Sequence, residues 1–291
     1  MHALIAQLRS ALAPVFGADE FPAVVKAVVC EVLGFSESDY YLRTPVTLDD
    51  SRRQLLDSTV ERLLRREPLQ HILGYELFGG QRFAVGPQVL IPRPETAKLV
   101  QHVVEQERAL PYSSERRRLL DVGTGSGCIA VSLALRLPSA DVYACDVSAD
   151  ALATARANAV DAEAFVRFFP FDLLASSPSP QGAPYHVIVS NPPYIRQCER
   201  SMMDERVSRY EPSLALFVPD HDPLLFYRAL ARLGTTGALV PGGTVWVEIN
   251  ALFGTETCHL FSLYDYEAVT LHTDCYGLPR FVSARKPNSQ H

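Results

Sequence analysis

A chain of 291 residues is long enough for a full α/β domain and a smaller second domain. Its net charge of −6 argues against a protein that holds long nucleic-acid duplexes by neutralising their phosphates. The six cysteines contain no Cys-x-x-Cys pair, which argues against a zinc site and favours buried thiols in a reducing compartment. We find no apolar run of membrane-spanning length and no clear signal-peptide cleavage site. The expectation is a soluble cytoplasmic protein.

Helical periodicity dominates the N-terminal part of the chain. An apolar stripe begins at Phe21 and ends before Gly34, a residue suited to cap a helix C-terminus. Asp49 or Ser51 is predicted to cap the start of a further helix. No catalytic residue types are grouped in this part. We therefore expect residues 1–74 to form a helical substrate-recognition domain.

After residue 74 the period of the apolar residues changes to two, which is typical of strands. Leu77-Phe78 and Arg82–Val85 flank Gly79-Gly80, a pattern that predicts a β-hairpin. Val89–Ile91 is predicted to be a second extended run, stopped by the prolines that follow it. The prediction for residues 75–93 is a β-hairpin linker that presents its backbone to something nearby.

From about residue 118, predicted strands alternate with helices. The expected strands are 118–122, 141–145, 165–171, 187–190, 243–249, 268–271 and 280–283. Such alternation predicts an α/β fold with a mostly parallel sheet covered on both faces. We expect one domain of this class, with a Rossmann-like arrangement, over residues 94–291.

A glycine-rich turn follows the first of these strands and opens a helix. Its residues are Gly123, Thr124, Gly125, Ser126 and Gly127. Glycines at such a turn allow the backbone to approach a ligand closely. Asp146 ends the next strand, about twenty residues on, where a carboxylate can accept both hydroxyls of an adenosine ribose.

The spacing of the glycines distinguishes two nucleotide ligands. A dinucleotide turn needs its third glycine where Cys128 stands, whereas Asp121 and the three glycines give Asp-x-Gly-x-Gly-x-Gly, the form seen in methyltransferases. The predicted cofactor is therefore S-adenosylmethionine, which leaves S-adenosylhomocysteine as product. Asp172 and Leu173 end the third strand and are predicted to contact the adenine. The same two residues also suit a helix cap and its neighbour, and both readings stay open.

A short β-branched run ends abruptly in Asn191, Pro192, Pro193 and Tyr194. The prolines restrict the backbone, so the Asn191 side chain and the Pro192 carbonyl are held as two hydrogen-bond acceptors, with the Tyr194 ring nearby. Two acceptors and an aromatic face suit a flat NH2 group. The motif predicts a catalytic site that binds an amide or an exocyclic amine.

Together these motifs resemble the amino methyltransferases that have an Asn-Pro-Pro-Tyr site. Two further stretches, Pro68–Gly79 and Val89–Thr96, are similar to those of the N5-glutamine methyltransferases of peptide chain release factors, the HemK-like family. The similarity extends to about residue 285 and includes Tyr210-Glu211-Pro212, Asp274, Gly277 and Arg280.

The resemblance implies a substrate and residue roles. In that family the methyl group goes to the glutamine of the Gly-Gly-Gln motif of class 1 release factors, and the helical domain helps to dock the factor. Asn191, Pro192 and Tyr194 would be catalytic, and Pro193 would join them in binding substrate. The cofactor-binding set would be Asp121, Gly123, Thr124, Gly125, Ser126, Gly127, Asp146, Asp172, Leu173 and Asn191. No metal is expected.

Three departures from the family pattern are visible. Ala97 replaces an acidic residue, Phe217–Asp220 replaces a glycine-rich turn, and Asn250 replaces a glycine after Glu248-Ile249. We expect none of them to touch the methyl-transfer site, and expect their effect to fall on substrate docking.

Other functions are also compatible with an amide-or-amine site. One is a ribosomal-protein glutamine methyltransferase, and another is a nucleic-acid adenine N6-methyltransferase, which the acidic charge and the helical N-terminus disfavour. A non-catalytic adapter that binds S-adenosylmethionine is disfavoured by the complete Asn-Pro-Pro-Tyr site. Membrane association is not expected, and direct nucleic-acid binding is disfavoured.

Overall fold

The structure is a computed structural model that describes residues 1–111, 114–175, 180–274 and 277–288. The chain divides into two compact units. The helical unit comprises Met1–Tyr75 and Asp204–Tyr210, and the sheet unit comprises Glu76–Met203 and Glu211–His291. The return of residues 204–210 to the helical unit is not indicated by any pattern in the sequence. The domain boundaries expected above stay a prediction.

The helical unit is built on an apolar core of leucine, valine and phenylalanine side chains. Its helices are α1 His2–Leu12, α2 Phe21–Ala27 with a π-helical turn Val28–Val32, α3 Glu37–Leu42, α4 Asp50–Leu64 and α5 Leu69–Leu73. The Asp49 side chain caps α4 by accepting from the Arg52 amide, which confirms the first of the two predicted caps. A short helix, Glu205–Tyr210, completes the unit.

The sheet unit contains a seven-stranded sheet. The strands in chain order are β1 Tyr75–Phe78, β2 Gln81–Ala84, β3 Arg118–Val122, β4 Asp141–Asp146, β5 Val166–Pro170, β6 Tyr185–Ser190, β7 Ile195–Arg196, β8 Phe217–Val218, β9 Leu239–Glu248, β10 Glu267–Thr273 and β11 Pro279–Arg285. The large sheet has the order β10-β11-β9-β6-β3-β4-β5. Only β11 runs against its neighbours, so the predicted mostly parallel sheet is confirmed.

Helices cover both faces of this sheet. They are α6 Pro94–Arg108, α7 Cys128–Arg136, α8 Ala149–Asp161, α9 Ser213–Leu216, α10 Leu225–Leu233 and α11 Gly254–Leu263. One buried cluster joins α6 and α7 to one face, and a second joins α10 and α11 to the other. Strands buried on both sides explain why their sequences are apolar without alternation.

The hairpin of β1 and β2 forms where the sequence predicts it. The extended run predicted at Val89–Ile91 does not form a strand, because these residues lie in a loop. Their β-branched side chains instead serve packing, since Val89 and Ile91 are buried in a small cluster with Val85 and Ala151. The loop backbone is held by Glu211, whose carboxylate accepts from the Ile91 amide at 3.0 Å and from Arg93 at 2.5 Å.

Strand order determines where a ligand can bind. From β3 the chain proceeds outward through β4 and β5, and then returns to place β6 on the other side of β3. The carboxyl ends of β3 and β6 therefore flank a topological switch point, the usual ligand-binding crevice of open α/β sheets. None of the helices in the described part of the chain is long and apolar enough to cross a membrane.

Candidate active site

Asn191 to Tyr194 directly follow β6, at the switch point of the sheet. Ser190, the last residue of the strand, donates its hydroxyl to the Val122 carbonyl at 2.7 Å and so ties the end of β6 to the end of β3. Pro192 is buried and Asn191 is half-buried. The motif therefore begins on backbone that is fixed by the sheet.

A chain of side-chain hydrogen bonds supports the motif from behind. The Asn191 Nδ2 donates to Thr96 Oγ1 at 3.2 Å, and Thr96 Oγ1 donates to Glu248 Oε2 at 2.7 Å. The Tyr194 hydroxyl donates to the other Glu248 oxygen at 3.2 Å. Thr96 is in the first turn of α6 and Glu248 ends β9, so three separate segments meet here.

Two acceptors of the motif stay unengaged. Among the described residues, no donor is bonded to Asn191 Oδ1 or to the Pro192 carbonyl oxygen. These are the two atoms that the sequence predicts to receive the hydrogens of a substrate NH2 group. The arrangement can therefore bind a planar amide or amine without first breaking a protein hydrogen bond.

Glu248 is a buried carboxylate of unusual basicity. It is 1% exposed, and burial raises its pKa to about 7, against the opposing effect of the Thr96 and Tyr194 hydroxyls and of the Arg280 charge. Burial, together with the negative charge of Glu248, also raises the pKa of the Tyr194 phenol. The Tyr194 hydroxyl therefore acts as a hydrogen-bond donor that fixes the position of its ring.

The glycine turn is anchored by backbone hydrogen bonds to the end of β4. The amides of Gly123 and Thr124 donate to the Cys145 carbonyl at 2.9 and 3.0 Å. Asp146 accepts from the Gly125 amide through Oδ2 and from the Ser148 amide through Oδ1, each at 2.9 Å. Asp146 is half-buried, and its remaining lone pairs can accept ribose hydroxyls.

Asp121 lies beneath this turn, fully buried. Thr124 Oγ1 donates to its Oδ2 at 2.6 Å, whereas Oδ1 accepts no well-formed hydrogen bond from the described residues. Burial raises the Asp121 pKa to about 7. The backbone amide of Ala130, in the first turn of α7, opposes this shift, so the carboxyl lies against the start of the helix that follows the glycine turn.

A buried asparagine holds the glycine turn from its other side. Asn158 on α8 donates to the Ser126 carbonyl at 2.8 Å and exchanges two hydrogen bonds with the Ala84 backbone of β2. Gly127 has a φ of +82°, and a Cβ there would stand 3.0 Å from the Ala155 Cβ of the same helix. The turn is thus packed tightly against α8, and Asn158 also ties it to the hairpin.

Asp172 and Leu173 follow β5 at the same edge of the sheet. Asp172 Oδ1 accepts from the Leu174 amide at 2.9 Å, and Leu173 packs against the buried cluster of α10 and α11. The first contact is a local turn, and in the described residues no helix follows Asp172 that it could cap. Asp172 is exposed, so its second oxygen stays accessible to a ligand.

Comparison with known proteins gives this chain a family. It is 41% identical over 286 residues to the release factor glutamine methyltransferase of Bacteroides thetaiotaomicron, with 98% of this chain and 100% of the relative covered. The chain belongs to the release factor glutamine methyltransferase family. The enzyme of that name from Flavobacterium psychrophilum is 38% identical over 276 residues, with 95% of each chain covered.

Two family models match separate parts of the chain. The model of the PrmC N-terminal domain matches residues 3–74, and that of the methyltransferase small domain matches residues 95–207. Among solved structures, the human methyltransferase 10 domain containing protein has a TM-score of 0.52 and 16% identity, and the match covers 84% of this chain and 100% of that chain. This similarity shows the methyltransferase fold alone. The family resemblance and the fold class inferred from the sequence are both confirmed.

One departure from the family pattern reaches the site. Asn250, where the family has glycine, donates from Nδ2 to the Tyr194 carbonyl at 3.2 Å and to Glu199 Oε2 at 3.3 Å. The expectation that no departure touches the Asn-Pro-Pro-Tyr segment is therefore wrong for Asn250. Sequence reasoning missed this contact because Asn250 is 56 residues from Tyr194.

The other two departures lie nearby. Phe217 and Val218 form β8, which pairs with β7 immediately after Tyr194, and Asp220 accepts from the Cys198 amide at 2.8 Å. Ala97 packs against the buried cluster of α6 and α7. The Phe217–Asp220 segment is thus held by the pairing of β8 with β7 and by the hydrogen bond from the Cys198 amide to Asp220.

Thr96, Glu248 and Asn158 are the site residues that the sequence reasoning missed. Thr96 and Glu248 were visible only as parts of family-like stretches, and Asn158 carried no signal. In the described residues, no group of three or more His, Cys, Asp or Glu side chains is arranged to hold a metal ion. The five cysteines among them are free thiols, and Cys275 lies outside the described residues.

Proposed function

We propose that this protein transfers a methyl group from S-adenosylmethionine to the side-chain amide nitrogen of a glutamine, the one in the Gly-Gly-Gln motif of class 1 peptide chain release factors. The observation that carries the proposal is the pair of unengaged acceptors, Asn191 Oδ1 and the Pro192 carbonyl, at the switch point of a methyltransferase sheet. Family membership supports the choice of a release-factor glutamine over other amides.

The chain offers a fitting environment for S-adenosylmethionine, which supplies an electrophilic sulfonium methyl group. Asp146 would accept the ribose hydroxyls, and Asp172 and Leu173 would contact the adenine. Asp121, buried beneath the glycine turn, would hold the turn in place through its hydrogen bond from Thr124. The backbone of Gly123–Gly127 would pass close to the ligand.

The residues of the motif address the main chemical difficulty. An amide nitrogen is a poor nucleophile because its lone pair is delocalised into the carbonyl. Asn191 Oδ1 and the Pro192 carbonyl would bind both N–H groups, favour the positive charge that develops on nitrogen, and hold the nitrogen in a fixed orientation towards the methyl donor. Tyr194 covers the amide plane, Pro193 stiffens the turn, and one proton leaves to water after transfer.

The proposal extends to the partner and the compartment. The helical unit would help to dock the release factor, and the reaction would take place in the cytoplasm, where release factors act. Neither a membrane nor a nucleic acid is required as partner. Residues 1–74, 75–93 and 94–291 would act as recognition domain, linker and methyltransferase domain.

The test is methyl transfer from radiolabelled S-adenosylmethionine to a purified class 1 release factor. A release factor with the motif glutamine replaced by glutamate is the matched control, and ribosomal proteins and duplex DNA are offered in parallel. Label on the native release factor and none on the control is expected. Label on a ribosomal protein or on DNA instead would show that the proposed substrate is wrong. No label on any of these molecules would refute transferase activity.

A further inference from the structure

The Asn191 side chain poses a problem of orientation. One end of its amide is an acceptor and the other carries two donor hydrogens. The wrong end would present an NH2 group to the NH2 group of the substrate. A catalytic role for Asn191 therefore requires that something in the protein select one of two orientations of nearly equal shape.

A threonine hydroxyl alone cannot make this selection, because it can either donate or accept. Thr96 has its single hydrogen committed to Glu248 at 2.7 Å, in a site where Thr96 is 2% and Glu248 1% exposed. With that hydrogen used, Thr96 can only accept from Asn191. The Asn191 Nδ2 must then face Thr96, and Oδ1 must face the other way.

We propose that Thr96 and Glu248 are positioning residues that fix which end of the Asn191 amide faces the substrate, an inference that rests on the proposed function. Glu248 also accepts from the Tyr194 hydroxyl, so one carboxylate orients both the acceptor and the ring of the motif. The two positioning residues are 152 positions apart in the chain, and they act through Asn191 and Tyr194.

The protonation of Glu248 controls this orientation. An ionised carboxylate accepts from both hydroxyls, whereas a protonated one must donate one hydrogen bond. When that bond goes to Thr96, the Thr96 hydrogen is freed to point at Asn191, and the amide turns round. The pKa of Glu248 is raised to about 7 by burial, so the change falls near neutral pH.

The groups that set this pKa surround Glu248 on several elements. Arg280 lowers it, Glu95 raises it, and the Tyr194 hydroxyl stabilises the ionised form. Burial raises the pKa values of Tyr227 and Cys128, and the charge of Glu248 adds a smaller effect in the same direction, so both groups stay neutral in this range. With the Glu248 proton on the oxygen that faces Thr96, the Asn191 amide is reversed, so we expect methyl transfer to be favoured above the pKa of Glu248 and to fall below it.

The matched pair Thr96→Val and Thr96→Ser tests the inference in the full chain. Valine keeps the shape but removes the hydroxyl, and serine keeps the hydroxyl. We expect kcat to fall about tenfold in Thr96→Val, equivalent to the loss of one hydrogen bond, and to recover in Thr96→Ser. Affinity for S-adenosylmethionine, measured by calorimetry, should match wild type in both. Equal kcat for all three proteins would overturn the inference.

The pH profile gives a readout that a merely structural role would not change. Wild type should show an acid limb of kcat with a midpoint near 7, the raised pKa of Glu248. Glu248→Gln cannot titrate and should lack this limb. This variant also tests the inference if Thr96→Val does not fold. A limb that persists unchanged in Glu248→Gln contradicts the proposal.

A measurement without catalysis separates this inference from the proposed function. The side-chain NH2 of Asn191, assigned by its absence in Asn191→Asp, can be followed by nuclear magnetic resonance. Slow exchange of these hydrogens in wild type and Thr96→Ser, with fast exchange in Thr96→Val, is the expected result. Fast exchange in all three refutes the inference whatever the substrate is, whereas failure to label release factors refutes only the proposed function.

Discussion

At the scale of single residues, Asn191 is expected to contribute far more to chemistry than to cofactor affinity. Asn191→Ala removes one of the two substrate acceptors while leaving Asp146 and the glycine turn in place. Methyl transfer should fall by about 100-fold or more, comparable to the loss of one preorganised group that stabilises developing charge. Single-turnover kinetics measures the loss, and calorimetry with S-adenosylmethionine should give near wild-type affinity. Full turnover by the variant would remove Asn191 from the mechanism.

Asp146 is expected to show the opposite behaviour. Asp146→Ala removes the acceptor for the ribose and also frees the Gly125 and Ser148 amides. The dissociation constant of S-adenosylmethionine should rise about tenfold to a hundredfold, as expected for a lost hydrogen bond to a charged group. Asp150→Ala, four residues on at an exposed position of α8, is the matched control and should bind normally. Unchanged calorimetric affinity for both variants would contradict the assignment.

The residues that follow the strands could be predicted because their signals are local. Asn191, Asp146 and the glycine turn each stand directly after a buried apolar run, and parallel strands bring such ends together. Thr96 and Glu248 could not be predicted, since a threonine in the first turn of a helix and a glutamate at a strand end have ordinary local explanations. Their contact depends on the register of β9 beside β6, which local patterns do not encode.

At the scale of elements, Asn158 connects the hairpin, the glycine turn and α8. Asn158→Leu would leave the Ala84 amide and the Ala84 and Ser126 carbonyls without their partner. The Ser126 carbonyl is buried, and leaving it unsatisfied costs about 1–3 kcal/mol, whereas the half-buried hydrogen bonds to Ala84 cost less because water can replace them. We expect a clearly lower free energy of unfolding in urea, together with weaker binding of S-adenosylmethionine.

The control for this prediction is Gln88→Ala. The Gln88 side chain also bonds to α8, donating to Thr154 at 3.0 Å, but in an exposed position. Its loss should change the free energy of unfolding by less than about 0.5 kcal/mol. Similar destabilisation by the two variants would show that burial of Asn158 has no special importance.

The loop conformation of Val89–Ile91 has a physical explanation at this same scale. β-branched residues favour strands only where a neighbouring strand offers hydrogen bonds and a packing surface. Here the backbone partner of Ile91 is the Glu211 carboxylate, a side chain 120 residues away. The hairpin of β1 and β2 was predictable because its turn and its partner strand are adjacent in sequence.

At the scale of the whole molecule, two buried carboxyl groups should contribute less to stability as pH rises through the acid-to-neutral range. Asp121 and Glu248 have folded-state pKa values raised by burial to about 7, from 3.8 and 4.5. The native state therefore holds protons that the unfolded chain has already released. In the window between these values, the contribution of both groups to the free energy of unfolding falls with increasing pH.

Glu248→Gln should remove the contribution of Glu248 to this pH dependence of the free energy of unfolding. At pH 8 the variant should be more stable than wild type by up to about 3 kcal/mol, because it buries no charge, and the difference should vanish towards pH 4. Urea unfolding at both pH values measures it, with Glu256→Gln at an exposed position of α11 as control. A difference that is the same at both pH values would mean that Glu248 does not titrate abnormally.

The helical unit is made of two segments that are far apart in the chain, so its parts are synthesised at different times. During synthesis its first 75 residues emerge early, but Asp204–Tyr210 follows roughly 130 residues later, a delay of about 6–26 s at usual elongation rates. Until then Glu20 lacks its ion pair with Arg206, and the Arg65 carbonyl lacks its bond from the Tyr210 hydroxyl. The helical unit therefore lacks these contacts while β3 to β6 and the Asn-Pro-Pro-Tyr segment are being synthesised. The helical unit is first in sequence, but it is completed only after β3 to β6 of the sheet have been made.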